Sequence, residues 1–136
     1  TLSLTDPRRS VYLTVKRSKL LPFLQLFDAP DAIEGKEVRN ETNSAPQSLT
    51  LLNSKFVREM SAKLATRIKA DSNEALVTQL YWETYSRPPL PRELSYLAEF
   101  LSRQTSLYEG DTKAAVKAKI DLCQLLICSN EFVYVD

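Results

Sequence analysis

Apolar residues recur at steps of three and four along the middle of the first half of the chain: Leu49, Leu52, Phe56, Met60, Leu64 and Ile68. That spacing predicts one amphipathic helix from about Pro46 to about Lys69, with these six side chains as its buried stripe. Lys55, Glu59, Lys63 and Arg67 fall on the opposite side. Ser44 suits the N-cap, Pro46 suits the first turn, and Gln47 sits where a capping-box side chain reaches back. Asn53 breaks the stripe between Leu49 and Phe56 and aims an amide at the core. This rod is the element around which the rest of the chain is expected to pack.

Other segments carry their own periods. Ser10–Lys16 alternates, with Val11, Leu13 and Val15 on one side and Tyr12, Thr14 and Lys16 on the other, which predicts a half-buried strand. Its one candidate partner is Phe132–Val135, so the two termini are expected to pair or lie close together. Ser18 caps a short helix over Leu20–Phe27, which ends at Asp28-Ala29-Pro30-Asp31 because Ala29 precedes a proline. Ala32–Ala45 is polar and irregular, and reads as an ordered loop over the central helix, pinned by the inward amide of Asn53. Asn73 caps a third helix, Glu74–Tyr85, where Leu76, Val77, Leu80, Tyr81, Trp82 and Tyr85 cover most of the circumference. A helix apolar nearly all round is expected to be enclosed.

The segment Ser86-Arg87-Pro88-Pro89-Leu90-Pro91 forms a rigid elbow and delivers Pro91 to the first position of a fourth helix. Leu94, Leu97, Ala98 and Leu101 form its buried side, widened by Tyr96 and Phe100, and Tyr108-Glu109-Gly110 ends it. Asp111 or Thr112 caps a fifth helix. It starts amphipathic, with Lys113, Lys117 and Lys119 outward, and ends almost wholly apolar through Leu122, Cys123, Leu125, Leu126, Ile127 and Cys128. The fold class predicted is all-α: one five-helix bundle-like domain over residues 1–136, with a long ordered loop and a small two-stranded pairing of the terminal segments as its only β element.

Composition narrows the chemistry. Eighteen basic residues nearly balance seventeen acidic ones, so nucleic acid is not implied as a partner. The excess is local: Arg8, Arg9, Lys16, Arg17 and Lys19 face only Asp6 within residues 1–19, a net of +4. A solvated terminus, or arginines paired with carboxylates elsewhere, is preferred over an anion-binding arm. No apolar run approaches the roughly 20 residues of a membrane span. The start lacks an initiator Met and a leader, as expected of an excised fragment or processed product. Cys123 and Cys128 are spaced so that they diverge on a helix, and read as buried free thiols. The chain has no histidine, which removes a His-based triad, a His-ligated zinc and a c-type haem attachment sequence within these residues. Glycine-rich phosphate loops and Cys-x-x-Cys pairs are absent too.

No catalytic, cofactor-binding or metal-ligating residue is assigned. The candidate polar site is where the basic arm, the 28–47 loop and the central helix would meet: Arg9, Asp28, Arg39, Gln47 and Asn53. A structural hydrogen-bond network among the same residues is the preferred alternative.

Several blocks resemble one family: Arg8-Arg9-Ser10-Val11-Tyr12-Leu13-Thr14-Val15-Lys16-Arg17, Phe27-Asp28-Ala29-Pro30, Arg39-Asn40-Glu41-Thr42, Ala45-Pro46-Gln47-Ser48-Leu49-Thr50-Leu51-Leu52-Asn53-Ser54, Arg87-Pro88-Pro89-Leu90-Pro91-Arg92-Glu93-Leu94, and the closing Leu122-Cys123-Gln124 and Ser129–Asp136. They are similar to the C-terminal portion of domain-of-unknown-function family 1553, a planctomycete-specific domain of large multi-domain proteins. Thr14 stands where that family often has proline, and Leu90 where a Ser or Thr cap is common. The resemblance implies an exported or periplasmic parent, often with a cytochrome-c-like region whose haem lies outside these residues, and frequently encoded near sulfatase-like proteins. Two readings follow. One is a non-catalytic module packing against other domains of its parent, a cytochrome-c-like domain among them. The other is a binding or processing module for sulfated polysaccharide, which needs Trp82, Tyr85 or Tyr96 exposed for stacking on sugars.

Overall fold

Ser54 divides the helix that the periodicity predicts. Its backbone is extended (φ −73°, ψ 121°), its hydroxyl accepts from the Val57 N–H at 3.4 Å, and a new helix starts behind it. The computed structural model describes Tyr12, Phe27 and residues 45–134. Among these there are six helices and no strand: α1 (Ala45–Leu52), α2 (Lys55–Arg67), α3 (Asn73–Tyr85), α4 (Pro91–Leu107), α5 (Ala114–Ile127) and α6 (Asn130–Val133). The chain divides into two units, Thr1–Leu51 and Leu52–Asp136. Of the first, the described part is Tyr12, Phe27 and α1 up to Leu51, where Gln47 is buried and Leu49 exposed.

The all-α class stands, with corrections inside it. The rod from Pro46 to Lys69 is two helices, and Asn53 is an exposed residue of the turn between them rather than an inward amide. The buried face of α2 is Val57, Ser61, Ala65 and Ile68; Phe56 is 39% exposed, and Met60 and Leu64 are half-buried. Both stripes have helical spacing, and the smaller side chains won. Ser61 and Ala65 let α2 approach α5 closely, and these two helices form the most extensive pairing of the unit. Ser61 tolerates full burial because its hydroxyl donates to the Val57 carbonyl at 2.8 Å.

The organising element of the second unit is α5. Ala118, Leu122, Cys123 and Leu126 are at most 1% exposed, and α5 packs on α2, α3 and α4. Ile68, Leu76, Val77, Leu80, Tyr81, Leu97 and Leu101 complete the core. The apolar end of α5 is therefore deep, as its composition predicts, although Leu125 is exposed. The third helix is less enclosed than expected: Trp82 is 55% exposed. Its N-cap is Ser72, one residue before the predicted Asn73, with Ser72 Oγ accepting from the Ala75 N–H. On α4, Leu97 and Leu101 are buried, but Tyr96 is 69% exposed and does not widen that side. The fifth predicted helix begins three residues after Asp111, whose carboxylate accepts from the Lys113 N–H at 2.8 Å and pairs with Lys117. Lys119 does not point away: its ammonium donates to the Ile68 carbonyl, closing the C-terminal end of α2.

At the chain end, Phe132 and Val133 belong to α6 rather than to a strand, because Ser129 caps that helix through the Phe132 N–H. No terminal pairing exists among the described residues. The predicted strand Ser10–Lys16 apart from Tyr12, the helix Leu20–Phe27 apart from Phe27, and the loop before Ala45 lie outside the described residues.

Because the α2 face that meets α5 is built from small side chains, Ser61→Leu is expected to destabilise the fold by about 1–3 kcal/mol through overpacking. Urea unfolding measures it. A change within about 0.5 kcal/mol, the size of an ordinary surface substitution, would return the buried stripe to Phe56, Met60 and Leu64.

Candidate functional site

Of the five residues picked out as a candidate site, Arg9, Asp28 and Arg39 lie outside the described residues. Gln47 is buried in α1, and Asn53 sits exposed in the turn before α2. The polar clusters that the described residues do build are two others, both in the second unit.

The first is centred on Arg87. Ser86 ends α3 in the left-handed region (φ 56°), which reverses the chain and lays Arg87 back across α3. Its guanidinium stands 5.2 Å from the Tyr81 ring centroid and 5.7 Å from that of Tyr85. Nη1 and Nη2 donate to the two carboxylate oxygens of Glu93, each at 2.9 Å. Nε and Nη2 donate to those of Glu131 at 2.7 and 2.9 Å, and Nη1 also reaches the Pro88 carbonyl at 3.1 Å. An arginine has five N–H donors, and all five are used. Glu93 in turn accepts from the Leu90 N–H at 2.7 Å, which supplies the cap that the Leu90 side chain lacks. The cluster thus ties the end of α3, the start of α4 and α6 together. Beside it, Tyr85 and Ser129 share a hydrogen bond of 2.8 Å.

The charges respond accordingly. The Arg87 hydrogen bonds hold the Glu93 carboxyl at about 2, against an ordinary 4.5, with burial opposing them. Arg87 itself is raised by Glu93 and Glu131 and stays cationic. Burial first, and then the negative charge of Glu93, push the Tyr81 hydroxyl up to about 12.

The second cluster is centred on Asp121 of α5. Arg58 of α2 donates to Oδ1 at 2.5 Å, and Gln104 of α4 and the Tyr108 hydroxyl donate to Oδ2 at 2.9 and 2.7 Å. Arg58 also donates to Gln124 at 2.8 Å, and Gln124 donates to the Leu52 carbonyl at 2.7 Å. Burial would raise the Asp121 carboxyl, but the bonds from Tyr108, Arg58 and Gln104 outweigh it and hold it below its ordinary range. Next to this cluster, Lys117 lies 5.4 Å from the Tyr108 ring centroid while pairing with Asp111.

These are clamps in chemical terms. Every donor of Arg87 and both oxygens of Asp121 are engaged by the protein, which leaves neither group an open position for a ligand. Among the described residues no buried side-chain nitrogen or oxygen lacks a partner, and no three His, Cys, Asp or Glu side chains are placed to hold a metal. Nor is any described helix long and apolar enough to cross a membrane. Cys123 and Cys128 are free, and burial pushes the Cys123 thiol up to about 11, away from the reactive thiolate.

A family model described as "Protein of unknown function (DUF1553)", PSD1, matches residues 3–101. The match spans well over half of the 136 residues. The chain belongs to the DUF1553 family. No curated protein and no solved structure matches it. The matched stretch of this DUF1553 chain contains Arg87 and Glu93, whereas Asp121 and Glu131 lie beyond it.

Sequence reasoning missed both clusters. Glu93 was within reach, being the third residue of a helix opened by Pro91, where a carboxylate accepts from the cap N–H. Arg87 with Glu131, and Arg58 with Asp121, are too far apart in the chain for any periodicity to join them.

A consequence follows for acid stability. Glu93 is ionised more readily folded than unfolded, so its contribution is complete above about pH 4.5 and is lost as pH falls toward about 2. Arg87→Met is expected to lower stability at pH 7 and to lose less on acidification across that interval than the wild type does. Urea midpoints measured from pH 7 to the acid limit test this, and equal pH slopes in the two proteins would count against the clamp.

Proposed function

We propose that this DUF1553 chain is a non-catalytic packing module of a larger exported protein, docking against other domains of its parent. The observation that carries the reading is the division of labour between polar and apolar side chains. Arg87, Glu93, Glu131, Arg58 and Asp121 are spent on one another, while Trp82, Tyr96, Leu107 and Val116 turn outward, each more than half exposed. Outward apolar side chains on a helical frame are the material of an interface rather than of a reaction centre. The family resemblance supplies the candidate neighbour, a cytochrome-c-like domain, and the exported or periplasmic location.

A second reading, binding of sulfated polysaccharide, draws support from the exposure of Trp82 and Tyr96 and loses Tyr85, which is half-buried under Arg87. Arg8, Arg9 and Arg39, the cations it would use, lie outside the described residues.

Affinity purification of the intact parent, followed by haem staining, tests the first reading. A haem-stained partner or haem-stained parent is expected to be retained with this domain, and to be lost when Trp82 and Tyr96 are both replaced by Ser. Retention of the isolated 136-residue chain on a sulfated-glycan array would move the assignment to the second reading.

A further inference from the structure

One side of α4 carries exposed apolar ends, with Phe100 between them packed partly against the core. Tyr96, Phe100, Arg103 and Leu107 follow one another at steps of four, three and four, which is the seam spacing of a helix that pairs with another helix. With Glu99 and Gln104 they line a shallow groove of ≈ 200 Å³. Tyr96 and Leu107 at its ends are 69% and 76% exposed, and Phe100 between them is half-buried. Among the described residues neither Glu99 nor Arg103 takes part in an ion pair, although they are spaced for one.

We propose that this face binds the same face of a second copy of the chain, with the two α4 helices antiparallel about a two-fold axis between Leu101 and Ser102. In that register Tyr96 meets Leu107 of the partner subunit, and Phe100 meets Arg103 of the partner subunit. Each pairing occurs twice, as an isologous contact requires. The guanidinium lies over the aromatic ring and reaches the carboxylate of the partner's Glu99, one residue further along the axis. Charge complementarity selects this occupant. A parallel pairing would place Arg103 against Arg103 and Glu99 against Glu99. The antiparallel one brings each within one residue's rise of its counter-charge. The seam spans about 16 Å at 1.5 Å per residue, short for a stable interface of about 1,200 Å² or more, so the dimer is reversible and concentration-dependent.

The inference rests on the packing-module reading and names one partner for it. Sedimentation equilibrium of the 136-residue chain is expected to give a mass rising from 15.5 kDa toward twice that value between about 10 μM and about 1 mM. Glu99→Arg and Arg103→Glu are each expected to remain monomeric, because each places like charges across the seam. Mixed one to one, the two variants regain a dimer, since each then presents the charge the other needs. Glu99 and Arg103 are both surface side chains, and circular dichroism of the variants checks that the helices persist. A wild-type chain that stays monomeric at the highest concentration overturns the proposal, as does a dimer indifferent to both variants or a mixture that fails to recover. None of these results alters the haem-staining outcome, so the packing-module reading stands or falls separately.

Discussion

The second unit depends on one face of one helix being completely covered. The last two turns of α5 carry Leu122, Cys123 and Leu126 with essentially no exposure, and helices α2, α3 and α4 are arranged to cover them. The cover includes small side chains of α2: Ser61 and Ala65 are buried on the face that carries Arg58, which bonds Asp121 and Gln124 of α5. A bulkier face there would hold the axes apart and open the core, at a cost that grows with the space left unfilled. The polar groups close to this contact are all satisfied locally: the Ser61 hydroxyl by its own helix, the Ile68 carbonyl by Lys119.

Around that apolar centre the charged residues act as fasteners at the two ends. Arg87 joins the α3–α4 elbow to α6, and Asp121 joins α5 to α2 and α4. Both use multiple hydrogen bonds with charge, the arrangement that gives geometric definition where a single exposed pair contributes little. The contrast with Arg67–Glu83 is instructive, since that pair is a single 3.3 Å contact between exposed side chains and fixes nothing. The left-handed Ser86 belongs to the same device. An L-residue in that region is disfavoured by about 1–2 kcal/mol, and the five hydrogen bonds of Arg87 hold the chain there.

These features bear on how a DUF1553 chain can act. A site for chemistry needs groups with unsatisfied capacity, and the two clusters that bring charges together have none to spare. The surface tells a different story, with Trp82 on α3 and Tyr96 and Leu107 on α4 open to contact.

The sequence by itself determined the class of the fold, the extents of α3 and α4, the depth of Leu122, Cys123 and Leu126, and the elbow at Pro88–Pro91. These are consequences of short-range rules: period, capping, proline geometry and the insolubility of a wholly apolar helix end. Tertiary structure alone decided which of two equally periodic faces of α2 turned inward, that Trp82 and Tyr96 stayed outside, and that Arg87 would find Glu131 forty-four residues away. A helix repeats every 3.6 residues whatever lies beside it, so its period marks the available stripes and cannot rank them. The ranking comes from the partner: α5 needs a close neighbour more than it needs a greasy one, and Ser61 with Ala65 met that need where Phe56 and Met60 could not.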